Sequence, residues 1–78
     1  MSTSAAKTLD VKGMLCPLPV LKAKQAISQV PVGGVLEVIA TDPAAKQDIP
    51  AWVRRTGHDL VSTREDNETF TFYVKRKV

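Results

Sequence analysis

Residues 8–40, TLDVKGMLCPLPVLKAKQAISQVPVGGVLEVIA, decide the fold, because their apolar period changes twice. In "TLDVK" (8–12) apolar and polar residues alternate, with Leu9 and Val11 on one face, the pattern of a short strand. Gly13 breaks it. From Val20 onward the apolar residues recur every three or four positions. Val20, Ala23, Ile27 and Val30 form one helical stripe, while Lys22, Gln25, Ser28 and Gln29 fall away from it. "PVGG" (31–34) carries helix breakers and ends the helix. "VLEVIA" (35–40) is almost continuously apolar and rich in branched side chains, which predicts a central strand buried on both faces.

A second helix opens at "TDPAAK" (41–46), where Asp42 can cap free backbone N–H groups and Pro43 suits the first helical position. Ile49, Trp52 and Val53 make its buried side, and Gly57 suits the left-handed residue past its end. Pro50 deletes a hydrogen bond and crowds the preceding turn if the helix runs through it. A restart, with Asp48 as the new cap, is therefore expected. "DLVSTRE" (59–65) and "TFTFYVK" (69–75) read as strands joined by a polar turn at Asp66 and Asn67. In the latter, Phe70, Phe72 and Val74 share a packed face, while Thr69, Thr71, Tyr73 and Lys75 share a wet one.

The order is βαβαββ. Two helices with like stripes cover one face of a four-stranded mixed sheet, an α+β two-layer α/β sandwich. Residues 8–78 form a single domain, and the small polar residues 1–7 are expected to be a flexible N-terminus.

At 78 residues there is room for one domain with a small core and none for a deep enclosed substrate cavity. Hydrophobic residues at 44% and charged residues at 24% are those of a globular chain. No apolar run nears the ~20 residues that span a membrane. The opening "MSTSAAK" lacks the apolar stretch of a signal peptide, so a cytoplasmic location and no membrane partner are expected. Eleven basic and eight acidic residues are spread along the chain and give a net charge of +3, a weak argument for nucleic acid. One cysteine excludes an internal disulfide, and no Cys/His cluster is available to hold a metal, so neither metal nor cofactor is expected. Nothing in the sequence demands more than a monomer.

The chemistry gathers at that cysteine. With Cys16 as N-cap, Pro17 and Pro19 fall in the first turn, where the missing N–H groups had no partner to lose. Both prolines also fix φ near its helical value and stiffen the turn. The helix start carries roughly half a positive charge, and the N–H groups of Leu18 and Val20 can point at the sulfur, so an acidified thiol is expected. A residue before proline avoids helical angles, which biases Cys16 to an extended, protruding geometry. Lys22 and Lys24 lie one or two turns away. The plain alternative is a small buried hydrophobe, the usual state of a lone cysteine.

A cysteine hydrolase needs a base beside the thiol, and the only imidazole, His58, falls after the second helix and reads as a surface residue. A dithiol oxidoreductase needs a second cysteine, and the chain has one. What remains is a thiolate that accepts a group and passes it on. Sulfane sulfur is the natural cargo, transferred by the logic of thiol–disulfide exchange.

Asp10-x-x-Gly13-x-x-Cys16-Pro17-x-Pro19 resembles the signature of the TusA/SirA-like sulfur carrier family. The likeness continues through "IATDPAAKQDIPAWV", with Asp42-Pro43 and Asp48-Ile49-Pro50, and through "GHDLV" into the last strands. It covers about Leu9 to Lys77. The resemblance implies the same βαβαββ sandwich, with Cys16 bearing a persulfide. It implies loading by a cysteine desulfurase or a rhodanese and delivery to acceptors of the DsrE-like or TusBCD type. The routes implied are tRNA thiolation, molybdenum cofactor assembly or dissimilatory sulfur oxidation. Some relatives carry a second cysteine near the Ile-Pro segment, where this chain has Ala51, Trp52 and Val53. A two-thiol scheme is thus disfavoured and a one-thiol carrier is not.

Asp10 either accepts hydrogen bonds from the loop carrying Cys16 or sits exposed on an edge strand. Gly13 supplies a backbone angle or a close approach that a side chain forbids. Lys22, Lys24, Arg54 and Arg55, with Lys46, form either a basic docking face or a solvated helix surface. Two competitors to the carrier stand beside it. A nucleic-acid-binding or regulatory module predicts exposed aromatics on the sheet, for which Tyr73 is the one candidate. A structural adaptor predicts that Cys16→Ser changes nothing.

Overall fold

The computed structural model describes residues 5–78. The elements are β1 (Lys7–Val11), α1 (Leu18–Ile27), β2 (Val35–Ala40), α2 (Ala45–Thr56), β3 (Asp59–Asp66) and β4 (Thr69–Lys75). Their order in the sheet is β1-β2-β4-β3. β1 and β2 are parallel, while β2–β4 and β3–β4 are antiparallel, so the sheet is mixed as expected. Both helices lie on one face, α1 over β1 and β2 and α2 over β3 and β4.

The expectation of a flexible start over residues 1–4 lies outside the described residues. Lys7, however, already belongs to β1 and pairs with Leu36, and the Ala6 N–H donates to the Val35 carbonyl at 2.8 Å.

The core is the layer between helices and sheet. Ala23, Ala26 and Ile27 from α1 and Ala45, Ile49, Trp52 and Val53 from α2 meet Val11, Leu36, Val38, Ala40, Phe70, Phe72 and Val74 of the sheet. Val30 is buried too, but it sits past the end of α1, beyond the C-cap Ser28. Arg76 fastens that end: its Nη1 donates to the Val30 carbonyl at 2.7 Å and to Ser28 O at 3.3 Å. Carbonyls left free at a helix C-terminus are thus met by a cation.

Three local expectations change. β2 is central, yet it is not buried on both faces: Leu36, Val38 and Ala40 are buried and Val35, Glu37 and Ile39 only half-buried. Helices cover a single face, so the other keeps its water. Glu37 marks that face, accepting hydrogen bonds from Thr8 Oγ1 (2.9 Å) and Tyr73 OH (3.0 Å). α2 does not restart at Asp48 but runs through Pro50 as one helix. The buried stripe Ala45, Ile49, Trp52, Val53 spans the proline, and packing of that stripe outweighs one lost helical hydrogen bond. The hairpin turn falls at Asn67 and Glu68, one residue later than expected, with φ of 49° and 64°. Positive φ at both central residues is what a two-residue turn between twisted strands demands.

What positions the site is the parallel pair. β1 and β2 run level, with Val11 opposite Ala40 at their ends. Both strands therefore deliver their chain into a helix at the same edge of the sheet.

Candidate functional site: the Cys16 loop

The loop from β1 to α1 turns at Gly13, whose φ of +81° is one that L side chains rarely adopt. A Cβ there would meet nothing within 4 Å, so the requirement is the backbone angle and not space. The Gly13 N–H donates to Thr41 Oγ1 at 2.9 Å, tying this loop to its neighbour after β2. Met14 N bonds Val11 O at 3.1 Å and closes the turn. Cys16 follows, exposed, as the free cysteine.

The N-cap of α1 is Pro17, with φ −97° and ψ 13°, and not Cys16. The Leu18 N–H is spent on the Leu15 carbonyl at 2.9 Å and so does not reach the sulfur. Pro17 is exposed, but Pro19 is fully buried and packs as a core residue besides stiffening the first turn.

Two carboxylates from the neighbouring segment meet Cys16. Asp42 accepts the Cys16 N–H on Oδ2 at 2.6 Å and the Ala44 N–H on Oδ1 at 3.1 Å, bridging the two loops. Asp48, in the first turn of α2, accepts the thiol proton of Cys16 on Oδ2, with Sγ 3.1 Å away.

This pair reverses the expected acidification. The bond to Asp48 holds the proton on the sulfur and pushes the Cys16 thiol above its ordinary pKa. Desolvation and the charges of Asp48 and Asp42 push in the same direction. Fixed negative charge in contact with the sulfur outweighs the half charge of a helix mouth whose nearest donor is already engaged.

Cys16 lies in an open, shallow depression of about 260 Å³ between α1 and α2. Val20 and Trp52 form its apolar lining, Ala51 its small side, and Lys24 and Arg55 its basic rim. The expected basic face is thus split. Lys24 and Arg55 reach the depression, whereas Lys22 and Arg54 are exposed and are not part of its lining. Lys46 is on the other flank of α2, paired with Glu65 at 3.2 Å and 5.3 Å from the Phe70 ring centroid.

Asp10 combines the two alternatives: it is exposed on the edge strand β1, and it accepts a hydrogen bond from the first residue of the loop that carries Cys16. It accepts the Lys12 N–H at 3.0 Å and pairs with Lys12 Nζ at 3.8 Å, so its contacts are with Lys12 and not with Cys16. His58 is no base for the thiol: its Nδ1 accepts the Lys77 N–H at 3.2 Å, and its ring tilts against Trp52 at 6.0 Å. Burial, and secondarily the charge of Arg76, lower its pKa.

Tyr73, the aromatic of the wet face, is half-buried and bonded to the Glu37 carboxylate. A carboxylate at the centre of that face is unfavourable to a phosphate backbone. Asp42 and Asp48 read from sequence as helix caps, and their place beside Cys16 went unseen. The available signal was topological: two parallel strands ending level bring their following loops together.

The family model for sulfurtransferase TusA matches residues 7–76. A relative from Neisseria meningitidis serogroup A is 47% identical over 72 residues, spanning 92% of this chain and 97% of its own. The sulfur carrier protein TusA of Allochromatium vinosum is 41% identical over 68 residues, 87% of this chain and 90% of that protein. In fold, the chain is similar to the crystal structure of a SirA-like protein from Desulfitobacterium hafniense. The TM-score is 0.80 at 24% identity, covering 92% of this chain and 99% of that one.

Proposed function

The chain belongs to the TusA sulfurtransferase family, and we propose that it is a sulfur carrier protein that takes up sulfane sulfur as a persulfide on Cys16 and hands it to an acceptor protein. The observation that carries this reading is the exposed thiol at the mouth of α1, in an open depression that a partner can enter. A carrier needs its sulfur reachable by two partners in turn, and a buried thiol could serve neither.

The surroundings suit brief encounters. Leu15 is 70% exposed, and Leu18 and Leu21 are each 45% exposed, on and just before the first turns of α1. These apolar side chains lie within five residues of the thiol in sequence, and Lys24 and Arg55 border its depression. A small apolar patch with a charged rim fits a partner that docks and leaves. On this reading Gly13 sets the turn, Pro17 and Pro19 stiffen the start of α1, and Asp42 anchors the Cys16 backbone. Asp10 holds the start of the same loop through the Lys12 N–H.

In loading, the Cys16 sulfur attacks the outer sulfur of a donor persulfide. A bond from Cys16 to that sulfur forms, the donor's own S–S bond breaks, and the donor leaves as a thiolate that takes up a proton. Unloading is the same step with the acceptor thiol as nucleophile. A cysteine desulfurase or a rhodanese is the donor this chemistry calls for, and DsrE-like or TusBCD-type proteins are the acceptors. The route served is tRNA thiolation, molybdenum cofactor assembly or sulfur oxidation.

The test is direct. The reduced protein is incubated with a cysteine desulfurase and cysteine, and its intact mass is read with and without reductant. The expected result is a reducible gain of one sulfur atom that vanishes in Cys16→Ser. No gain from either a desulfurase or a rhodanese would overturn the reading.

A further inference from the structure

Among the described residues the ion pairs are Lys12–Asp10 and Lys46–Glu65, so neither Asp42 nor Asp48 is paired with a cation. Asp42 has both oxygens engaged by backbone N–H groups, whereas the partner of Asp48 is the thiol itself. We propose that Asp48 is a positioning residue that sets how firmly the carrier holds its sulfur, by bonding the empty thiol and repelling the loaded persulfide. This rests on the carrier reading given above.

The thiol proton decides the sign of the effect. The contact between Cys16 Sγ and Asp48 Oδ2 exists because Sγ carries a hydrogen. When the carrier loads, Sγ forms a bond to the incoming sulfur and gives up that hydrogen. In full, Cys16–SH and R–S–SH become Cys16–S–SH and R–SH. The electron pair of the donor's S–S bond leaves with R–S, which takes the proton. The transferred sulfur keeps its oxidation state, the Cys16 sulfur rises by one as the donor's inner sulfur falls by one, and no further oxidant enters.

Loading thus removes the Asp48 bond and replaces it with a terminal S–SH, a more acidic group than a thiol. Its anion faces Asp48 from α2 and Asp42 from the preceding loop, with Lys24 of α1 and Arg55 of α2 on the rim of the same depression. Empty is attractive and loaded is repulsive, through one carboxylate. Such a difference acts on the exchange equilibrium itself, because only an interaction unequal in the two states can shift it. A carrier built this way surrenders its cargo readily.

The experiment uses the full chain as wild type, Asp48→Asn and Asp48→Glu. Each is equilibrated with glutathione persulfide and glutathione at one fixed ratio and pH, and the loaded-to-empty ratio is read by intact mass. Asparagine keeps an acceptor for S–H and offers N–H donors to a persulfide anion, without charge. The ratio should rise at least about threefold in Asp48→Asn, and Asp48→Glu should stay near wild type. In parallel, the pH midpoint for alkylation of Cys16 by iodoacetamide should fall in Asp48→Asn, since the carboxylate that retains the proton is gone. If Asp48→Asn loads no more than wild type, the proposal is overturned and the carrier reading stands. If wild type takes no sulfur from glutathione persulfide, a desulfurase or a rhodanese, both fall together.

Discussion

Replacing Asp42 with alanine should loosen the Cys16 loop and cost stability at once, because a single carboxylate joins the two loops. Its Oδ2 accepts the Cys16 N–H at 2.6 Å and its Oδ1 the Ala44 N–H at 3.1 Å. Hydrogen bonds to a charged group contribute about 1.5–3 kcal/mol each when well buried. Asp42 is only half-buried and Cys16 is exposed, so water compensates much of the loss and about 1 kcal/mol per bond is the better figure. The sum is about 2 kcal/mol. In a domain of this size that lowers the melting temperature by roughly 8–16 °C.

Asp42→Asn supplies an intermediate case. An amide has one acceptor oxygen, and its NH₂ meets the other backbone donor unfavourably, so this variant should fall between wild type and Asp42→Ala. Thermal melts followed by circular dichroism give the ranking, and amide hydrogen exchange at Cys16 reports the anchor itself. A melting temperature for Asp42→Ala within about 3 °C of wild type, with protection at Cys16 unchanged, would refute the view that this carboxylate holds the two loops together.

Gly13→Ala and Gly57→Ala each force a residue with a Cβ into φ above +80° and should each cost about 1 kcal/mol in denaturant unfolding, but only Gly13→Ala should also change the alkylation rate of Cys16. Glu68→Gly should stabilise the hairpin by about 0.5–1 kcal/mol, read from the same denaturant midpoints, because an Asn-Gly pair suits a turn whose φ is positive at both centres. For His58, burial holds the ring below its ordinary value of 6.5, so the folded chain takes up a proton less readily than the unfolded chain. Its contribution is therefore complete above pH 6.5 and lost as the pH falls from there towards the folded-state value. Melts at pH 7.5 and 5.5 should show a smaller drop in His58→Gln, which keeps an acceptor for the Lys77 N–H, than in wild type. An equal drop in the two would show that His58 carries none of that dependence.

Element types were legible because each is written in local period. The alternation of Phe70, Phe72 and Val74 and the stripe of Ala23 and Ile27 survive into the packed core unchanged. Gly57 could be read as a left-handed cap for the same reason: glycine is the residue that tolerates φ of 86°. Where a local rule failed, a distant partner outweighed it. Pro50 looks like a break within its own turn, yet Ile49 and Trp52 on either side of it are buried together and carry α2 through. β2 looks doubly buried from its composition, but the helices had only one face to cover.

Cys16 divides along the same line. That the chain has one thiol, beside prolines at a helix mouth and reachable by solvent, is determined by its own neighbours in sequence, since glycine angles and proline rings act within a few residues. The state of that thiol is not. A local view assigns it a helix dipole and a lowered pKa; the folded chain assigns it Asp48, more than thirty residues away, and a raised one. Charges act through space and not along the chain. Only the parallel pairing of β1 with β2, which brings two loops to one edge of the sheet, decides which charges the sulfur meets.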